Sequence, residues 1–294
     1  MFTNDYDFDK AMQEIEASLA RQGVAIRARE FRTLVEVCRL AGQQFAMTGT
    51  HTADRDPTPG VFSGDDLTIR VRRWYRRRFE GMKLDGPRLL RIVVLLQNDP
   101  WSLCLPWFRG TLTVICDPRV EDSNRPRSVI NIPDCFDDLP RGVREAVTSE
   151  EWQATAAIFA TAIQADEILQ WNKDSPLMQH AFRDLEATAF HLATAHPRNP
   201  GEARWSSLQV VEKILKAIAV HHKVDYPKGG KDGHDLAKLV AALEKENVPL
   251  QSDRELMGKI QCGPGVRYGE TPVRLDEAVD VHHAVLKLLA GLKH

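Results

Sequence analysis

The side chains with the clearest chemical potential form an arginine run, Ile69–Phe79, which reads IRVRRWYRRRF and holds six arginines in eleven residues. Guanidinium groups bind phosphates, and the aromatic faces of Trp74 and Tyr75 can stack on nucleic acid bases. The combination predicts contact with a phosphate-bearing ligand such as RNA or a nucleotide. The predicted ligand-binding residues of the run are Arg72, Arg73, Arg76, Arg77 and Arg78.

Two other interpretations of the arginine run stay open. The β-branched and aromatic residues of 68–79, with polar residues between them, predict a strand. Arginines on an edge strand would keep that strand from pairing with other chains. Alternatively, the arginines form ion pairs with the acidic stretches at 134–138 or 150–151.

The charge balance of the chain makes this run stand out. The 294 residues include 39 basic and 41 acidic side chains, which gives a net charge of −2. Residues 66–92 alone contain nine basic and three acidic side chains, a local net charge of +6. A nearly neutral chain has no overall field that attracts nucleic acid. Any such affinity must therefore come from a local patch.

Two further basic candidates lie in the C-terminal third. Lys213 and Lys216 are on a predicted helix near a Lys- and Gly-rich loop, and they either bind phosphate or form a solvated helix face. Arg267 and Tyr268 precede the last predicted helix, whose N-terminus suits an anion. The same two residues could instead hold the loop CGPGVRYG against the other helices.

The histidines raise the question of a metal site. His221-His222, His234 and His282-His283 belong to neighbouring predicted helices, but His282 falls in an apolar stripe that is typical of a core position. The sequence contains no H-E-x-x-H, no Glu-x-x-His pair and no cysteine ligand set. We therefore predict no metal and no cofactor.

Compartment signals are few. The N-terminal segment MFTNDYDFDK is acidic and does not resemble a signal peptide, and no apolar run reaches the length that crosses a bilayer. The five cysteines are scattered and include no C-x-x-C, which favours reduced thiols over a disulfide framework. These observations predict a cytoplasmic protein that does not enter the membrane.

Hydrophobic spacing in the N-terminal half predicts the elements that carry the arginines. Helical spacing indicates helices at 7–22 and 27–47, and a Thr-, Asp-, Pro- and Gly-rich loop follows at 48–64. The residues from 67 to 132 suggest a small antiparallel sheet, which the two helices could cover. Its predicted parts are strands at 68–79, 91–97 and 128–132 and a hairpin at 101–118 with a turn at Arg109-Gly110.

The C-terminal half reads as helical throughout. Thr148 and Glu151 have the spacing of a capping box, and the helix that they open is apolar over most of its surface and ends near Trp171. The last helix has Thr271 as its predicted cap, with Pro272 in its first turn. Helices are predicted at 177–195, 202–223, 234–247, 252–261 and 272–292.

Three short motifs in this half resemble the HEPN family of helical domains. The first is the Q-x-x-E-K-x-x-K-A run from Gln209 to Ala217. The second is His234-Asp235-Leu236 at the start of the next helix, and the third is Arg267-Tyr268 before the last one. A preceding helix at 182–195 lies where the family's first helix belongs. The resemblance covers about 177–294 and does not extend to 1–150.

The resemblance implies an up-and-down helical bundle that often dimerises and that is linked to RNA or nucleotide binding. Many members are ribonucleases in defence or toxin–antitoxin systems, and others accompany nucleotidyltransferases. The catalytic branch carries an arginine followed by a histidine after four to six residues, and this chain has no such pair. Because an RNase needs an acid or base together with a cation on the phosphate, the missing motif favours binding over catalysis.

Together these observations predict an α+β protein of three parts: an N-terminal domain at 1–148 with helices and a small antiparallel sheet, a connecting helix at 149–176, and a HEPN-like bundle at 177–294. The predicted function is non-catalytic binding of RNA or a nucleotide, in a stress or phage-defence setting. The expected partners are a second copy of the chain and an antitoxin or nucleotidyltransferase. Two alternatives are a metal-independent ribonuclease that uses His234 or His282 with Arg267, and a protein-interaction module without a nucleic acid role.

Overall fold

The computed structural model describes residues 2, 4–24, 26–42, 56–79, 90–106, 113–120, 129–229, 231–248, 250 and 253–292. Its strands are β1 (Arg91–Leu96), β2 (Asp99–Cys104), β3 (Thr113–Ile115) and β4 (Val129–Asn131). Its helices are α1 (Asp5–Arg21), α2 (Ile26–Ala41), α3 (Gly64–Arg78), α4 (Arg141–Ala146), α5 (Ser149–Gln170), α6 (Pro176–Ala189), α7 (Pro200–His221), α8 (Leu236–Lys245), α9 (Arg254–Ile260) and α10 (Leu275–Gly291).

The chain forms two compact units. The first contains Met1–Leu89, Pro106–Ile115 and Glu121–Ile130, and the second contains Leu90–Leu105, Cys116–Val120 and Asn131–His294. The hairpin of β1 and β2 therefore belongs to the same unit as the C-terminal helices. This division differs from the expected N-terminal domain at 1–148, which placed that hairpin with the first helices. None of the described helices is both long and apolar enough to cross a bilayer.

The first unit is built on α1, α2 and α3, which share one apolar core. In α1 the buried residues follow helical spacing, and the Asn4 side chain caps the helix by accepting a hydrogen bond from the Asp7 backbone N–H at 2.9 Å. Helical spacing in the sequence thus predicted α1 and most of α2 correctly, while residues 43–47 of the second predicted helix lie outside the described residues. The core contains Phe8, Met12, Ile15, Leu19, Leu34, Val37, Cys38, Ala41, Phe62, Leu67, Val71 and Tyr75.

A buried polar network ties these three helices together. The Tyr75 hydroxyl donates to Glu16 Oε2 at 2.6 Å and lies 2.7 Å from the hydroxyl of Thr33. Arg29 donates from Nη1 to the other oxygen of Glu16 at 2.7 Å. Burial and the hydrogen bond to Glu16 raise the pKa of Tyr75 above its usual range. The buried side chains of Glu16, Thr33 and Tyr75 thus form hydrogen bonds with one another or with Arg29, as buried polar groups generally require.

The arginine run is a helix, and the predicted strand at 68–79 is wrong. Leu67, Val71 and Tyr75 are buried and recur at intervals of four residues, so one face of α3 enters the core. Ile69 is also buried, and the arginines become exposed only at Arg76–Arg78. The β-branched and aromatic composition that suggested a strand is a weaker determinant than this spacing. Because 64–78 form a helix, the interpretation of the arginines as charges on an edge strand is also wrong.

Both sheets of the described residues have two strands, and the pair of β1 and β2 is antiparallel. β1 pairs with β2 across a two-residue turn at Gln97 and Asn98, both of which have positive φ angles, as a type I′ turn requires. The predicted hairpin at 101–118 assigned the wrong partner to Trp101–Cys104, because these residues belong to β2 and pair with β1. The proposed turn at Arg109-Gly110 lies outside the described residues. β3 pairs with β4, which confirms the short strand predicted at 128–132.

The helices of the second unit agree closely with the sequence. α5 opens with the predicted capping box: Glu151 N–H donates to Thr148 Oγ1 at 3.2 Å and Thr148 N–H donates to Glu151 Oε2 at 2.9 Å. α10 begins later than predicted, at Leu275, so Thr271 does not cap it and Arg274 occupies the cap position instead. A π-helical turn at Phe190–Thr194 prolongs α6.

α7 is the central helix of this unit and contacts α6, α8 and α10. Its buried residues lie on more than one face, as its sequence predicted. The predominantly helical α+β composition is thus confirmed, whereas the up-and-down HEPN arrangement of 177–294 stays a prediction.

Candidate functional site

The last turn of α3 exposes three consecutive arginines, Arg76, Arg77 and Arg78. The burial of Leu67, Val71 and Tyr75 fixes the rotation of the helix and directs this turn to solvent. Positive side chains in the last helical turn are also stabilised by the negative end of the helix dipole. Three predicted ligand-binding residues are therefore exposed within the same helical turn.

The arginines at the start of the run are engaged within the first unit. Arg70 binds Asp5 and donates to the Val61 carbonyl at 2.9 Å. Arg72 lies 3.6 Å from Glu30, and Arg73 binds Asp56. These contacts support ion pairing for the first half of the run. A ligand that binds Arg72 or Arg73, as the sequence predicted, must compete with the carboxylates of Glu30 and Asp56.

The two aromatic residues of the run have different environments. Tyr75 is fully buried and uses its hydroxyl in the Glu16 network, so it cannot stack on a ligand. Trp74 is half-buried, and the Arg78 guanidinium lies 5.3 Å from the centre of its indole ring. Only Trp74 retains the predicted role of an aromatic platform beside the exposed arginines.

The acidic stretches proposed as partners of the arginine run have partners within the second unit. Asp134 accepts from Arg144 at 2.6 Å, and Asp137 accepts from Arg91 at 3.1 Å. Glu151 binds the backbone N–H groups of Thr148 and Gln97, which together lower the pKa of its carboxyl group.

Lys213 and Lys216 form ion pairs within the second unit rather than an open basic face. Lys213 binds Asp184 of α6, and burial raises the pKa of that aspartate while Lys213 opposes the shift. Lys216 is buried and donates to Glu212 Oε1 at 2.7 Å. A phosphate could reach either ammonium only by displacing a carboxylate, which weakens the predicted phosphate role of both lysines.

Glu212 is the centre of a hydrogen-bonded group that the sequence motifs bring together. Its buried carboxylate accepts from Lys216 at 2.7 Å, from Gln209 Nε2 at 2.7 Å and from His234 Nδ1 at 2.7 Å. The indole of Trp205 lies 5.5 Å from the His234 ring, centre to centre. The motif residues from α7 and the start of α8 thus meet, because Glu212 needs compensation for its burial.

This group orients one imidazole toward solvent. With Nδ1 bound to Glu212, the other ring nitrogen of His234 stays available, and the side chain is 43% exposed. Carboxylate–histidine pairs of this kind orient acid–base groups in enzymes, but they also fasten loops. The sequence indicated His234 and Lys216, but not Glu212, as site residues. The signal in the sequence was that Glu212 stands four residues before Lys216, a spacing at which two helical side chains can pair.

Arg267 and Tyr268 precede α10, and Arg267 contacts the first turn of α7. Arg267 donates from Nε to Glu202 at 3.4 Å and lies 5.8 Å from the centre of the Tyr268 ring, which is exposed. Glu202 precedes Lys213 and Lys216 by 11 and 14 residues, which corresponds to about 17–21 Å along the helix. The structure does not bring this corner into one groove with the lysines.

His282 is a core residue. It is fully buried, and its Nε2 accepts a hydrogen bond from the Val93 backbone N–H at 3.2 Å. Burial lowers the pKa of His282 to about 3. The ribonuclease alternative combined His282 or His234 with Arg267. In the structure His282 is buried against β1, His234 binds Glu212, and Arg267 binds Glu202. They do not form one acid–base site.

Within the described parts of the chain, no group of three or more histidine, cysteine, aspartate or glutamate side chains could hold a metal ion. Comparisons of the chain with protein-family models, curated proteins and solved structures find no match.

Proposed function

We propose that this protein binds RNA or a nucleotide without catalysing a reaction, and that the last turn of α3 makes the phosphate contacts. The observation that carries the proposal is the exposure of Arg76, Arg77 and Arg78 in one helical turn, with the Arg78 guanidinium over the half-buried Trp74. Closely spaced guanidinium groups neutralise neighbouring phosphates, and a tryptophan face accepts a base by stacking.

The charge distribution supports a local contact of this kind. The chain as a whole is slightly negative, so it repels nucleic acid weakly at long range. The basic surplus at 66–92 is therefore the attraction that a phosphate backbone would meet. Lys213 and Lys216 support the proposal less, since both are enclosed within the second unit against carboxylates, whereas Arg76, Arg77 and Arg78 are exposed.

The HEPN resemblance of 177–294 adds further parts to the proposal. They are an up-and-down bundle, pairing with a second copy of the chain, and a role in stress response or phage defence beside an antitoxin or nucleotidyltransferase partner. The support for these parts is the set of motifs at Gln209–Ala217, His234–Leu236 and Arg267-Tyr268, of which the first two meet at Glu212.

The test is the salt dependence of RNA binding by the triple variant Arg76→Gln/Arg77→Gln/Arg78→Gln. Binding of a labelled single-stranded RNA is measured by fluorescence anisotropy over a series of salt concentrations. Each phosphate contact contributes about 0.7 to the slope of log affinity against log salt for single strands. We expect the triple variant to bind more weakly and its slope to fall by about 2.

A matched control removes the same charge from the same unit. Lys10→Gln/Arg21→Gln/Arg39→Gln changes three exposed basic residues of α1 and α2. We expect this variant to retain the slope of the unmodified protein. Equal losses in both triple variants would show diffuse attraction rather than a site. No RNA binding even at low salt would refute the proposal and favour the protein-interaction module.

A further inference from the structure

Two successive histidines of α10 bind both backbone groups of one residue in β1. The Val93 N–H donates to His282 Nε2 at 3.2 Å, and His283 Nε2 lies 2.8 Å from the Val93 carbonyl oxygen. β1 pairs with β2 through its other edge. The two imidazoles therefore occupy the position that a third strand would take, and they fasten the hairpin to α10.

These hydrogen bonds fix the protonation of both rings. His282 accepts at Nε2, so its single proton must be on Nδ1. His283 faces a carbonyl oxygen, which only accepts, so its Nε2 must carry a proton. The two rings differ in consequence: a doubly protonated His283 could still donate to Val93, whereas a doubly protonated His282 could no longer accept.

The described surroundings of His282 do not stabilise an added proton. His282 and Val93 are both fully buried, and His282 Nδ1 has no hydrogen-bond partner among the described residues. The Val93 side chain packs in an apolar cluster with Leu192, Ala203 and Ala278. The pKa values of both histidines are lowered, chiefly by burial.

The charged groups around the pair lie mainly beside His283. Asp280 and Lys287 come from α10 and Lys259 comes from α9, where it donates to Asp280 at 3.0 Å. Asp280 favours a proton on His283, and the two lysines oppose it. The neighbour that acts on His282 is His283 itself, and a charge on His283 would disfavour a second charge on His282.

We propose that the contact between His282 and Val93 is an acid-sensitive latch, which releases the hairpin of β1 and β2 from α10 when His282 gains a proton. In the latched state His282 is neutral; in the released state it is hydrated and takes up a proton near pH 6.5. Acid therefore favours release. The latch holds above pH 6.5 and weakens progressively as the pH falls below that value.

The other contacts of the hairpin do not respond in the same pH range. The Gln97 N–H donates to Glu151 at 2.6 Å, and Asp99 and Asp137 pair with Arg198 and Arg91. These are contacts of carboxylates, whereas imidazole is the side chain that ordinarily titrates between pH 5 and 8. Between pH 6.5 and 5 the histidines are the groups whose titration changes the stability of the attachment.

Hydrogen exchange of the full chain tests the latch directly. Exchange of β1 amides, including Val93, is followed at pH 7.5 and pH 5.0 and corrected for the intrinsic effect of pH on exchange. If His282 is neutral in the latched state and titrates near pH 6.5 in the released state, release is about 30-fold more frequent at pH 5.0 than at pH 7.5. We expect protection of β1 to fall by about this factor. Release of the hairpin exposes less surface than unfolding of the whole second unit, so β1 exchange should depend less steeply on added urea than exchange of α7 does.

A variant separates the two rings. In His282→Gln the amide oxygen can accept from Val93 N–H but does not titrate, so we expect most of the acid effect on β1 to disappear. His283→Gln serves as the matched control and should leave most of the acid effect in place. Two results of the unmodified protein alone would overturn the proposal: unchanged β1 protection at pH 5.0, or β1 exchange with the same urea dependence as α7, which reports global unfolding.

Discussion

Tyr75 shows how a single side chain can serve the core and a polar network together. Its ring is buried against α1 and α2, while its hydroxyl reaches Glu16 and Thr33. The sequence offered this residue as an aromatic platform for a ligand, because local spacing cannot reveal a partner 59 positions away. The same limit applies to Glu212 and His282, whose decisive contacts are also distant in sequence.

Removal of the Tyr75 hydroxyl tests this residue-scale account. Tyr75→Phe keeps the ring but leaves Glu16 and Thr33 each without one hydrogen-bond partner. An unsatisfied buried group costs about 1–3 kcal/mol, so we expect the free energy of unfolding, measured by urea denaturation, to fall by that amount. Tyr6 is 77% exposed, and Tyr6→Phe should change it by less than about 0.5 kcal/mol. Equal effects of the two substitutions would contradict the network.

At the scale of elements, long periodic segments were predicted well and short or ambiguous ones were not. The ends of α5 and α7 fall within a few residues of their predicted positions, because burial on one or more helix faces leaves a clear apolar pattern. α3 was mistaken for a strand since it is rich in β-branched and aromatic residues, although its buried positions repeat every four residues. The turn between β1 and β2 is formed by Gln97 and Asn98, which both have a left-handed backbone conformation. No glycine marks this turn in the sequence.

The junction between the turn Pro264–Val266 and α7 depends on a residue without a side chain. A Cβ atom at Gly201 would lie 2.2 Å from the Val266 carbonyl oxygen, so backbone atoms would have to move. We expect Gly201→Ala to reduce the free energy of unfolding by about 1–3 kcal/mol, because overpacking against rigid backbone is costly. Arg267 directly follows this turn, so we expect the backbone amide of Arg267 to change its NMR chemical shift in Gly201→Ala.

A second glycine provides a control of opposite sign. Gly258 lies within α9, and a Cβ added there meets no atom within 4 Å. Alanine is favoured over glycine in a helix interior by about 1 kcal/mol, so Gly258→Ala should stabilise the protein. If chemical denaturation showed both substitutions to be stabilising, the close approach of Val266 to Gly201 would be wrong.

For the whole molecule, the sequence indicated the balance of helix and sheet but not the grouping of the elements. Chain order suggested that the strands belong with the first two helices. In the structure, β1 and β2 pack in the unit of the C-terminal helices, where α10 fastens β1 through His282 and His283. These contacts span about 190 positions, and no local pattern reports them. The arginine run, in contrast, was visible at once, because charge density is a property of the sequence itself.

The two compact units each have a core of their own, which predicts how substitutions act on unfolding of the full chain. Glu212→Gln leaves buried Lys216 without its counter-ion, and breaking such a pair costs about 3–5 kcal/mol. Per kcal/mol, Tm falls by about 4–8 °C in a small unit and by about 2–4 °C in a larger one. In calorimetry we expect Tyr75→Phe to lower the Tm of the first unit and Glu212→Gln to lower the Tm of the second.

The double variant Glu212→Gln/Lys216→Met is the control, and it should recover part of the lost stability because it also removes the unpaired charge of Lys216. A single transition that both substitutions lower together would show that the two cores unfold as one.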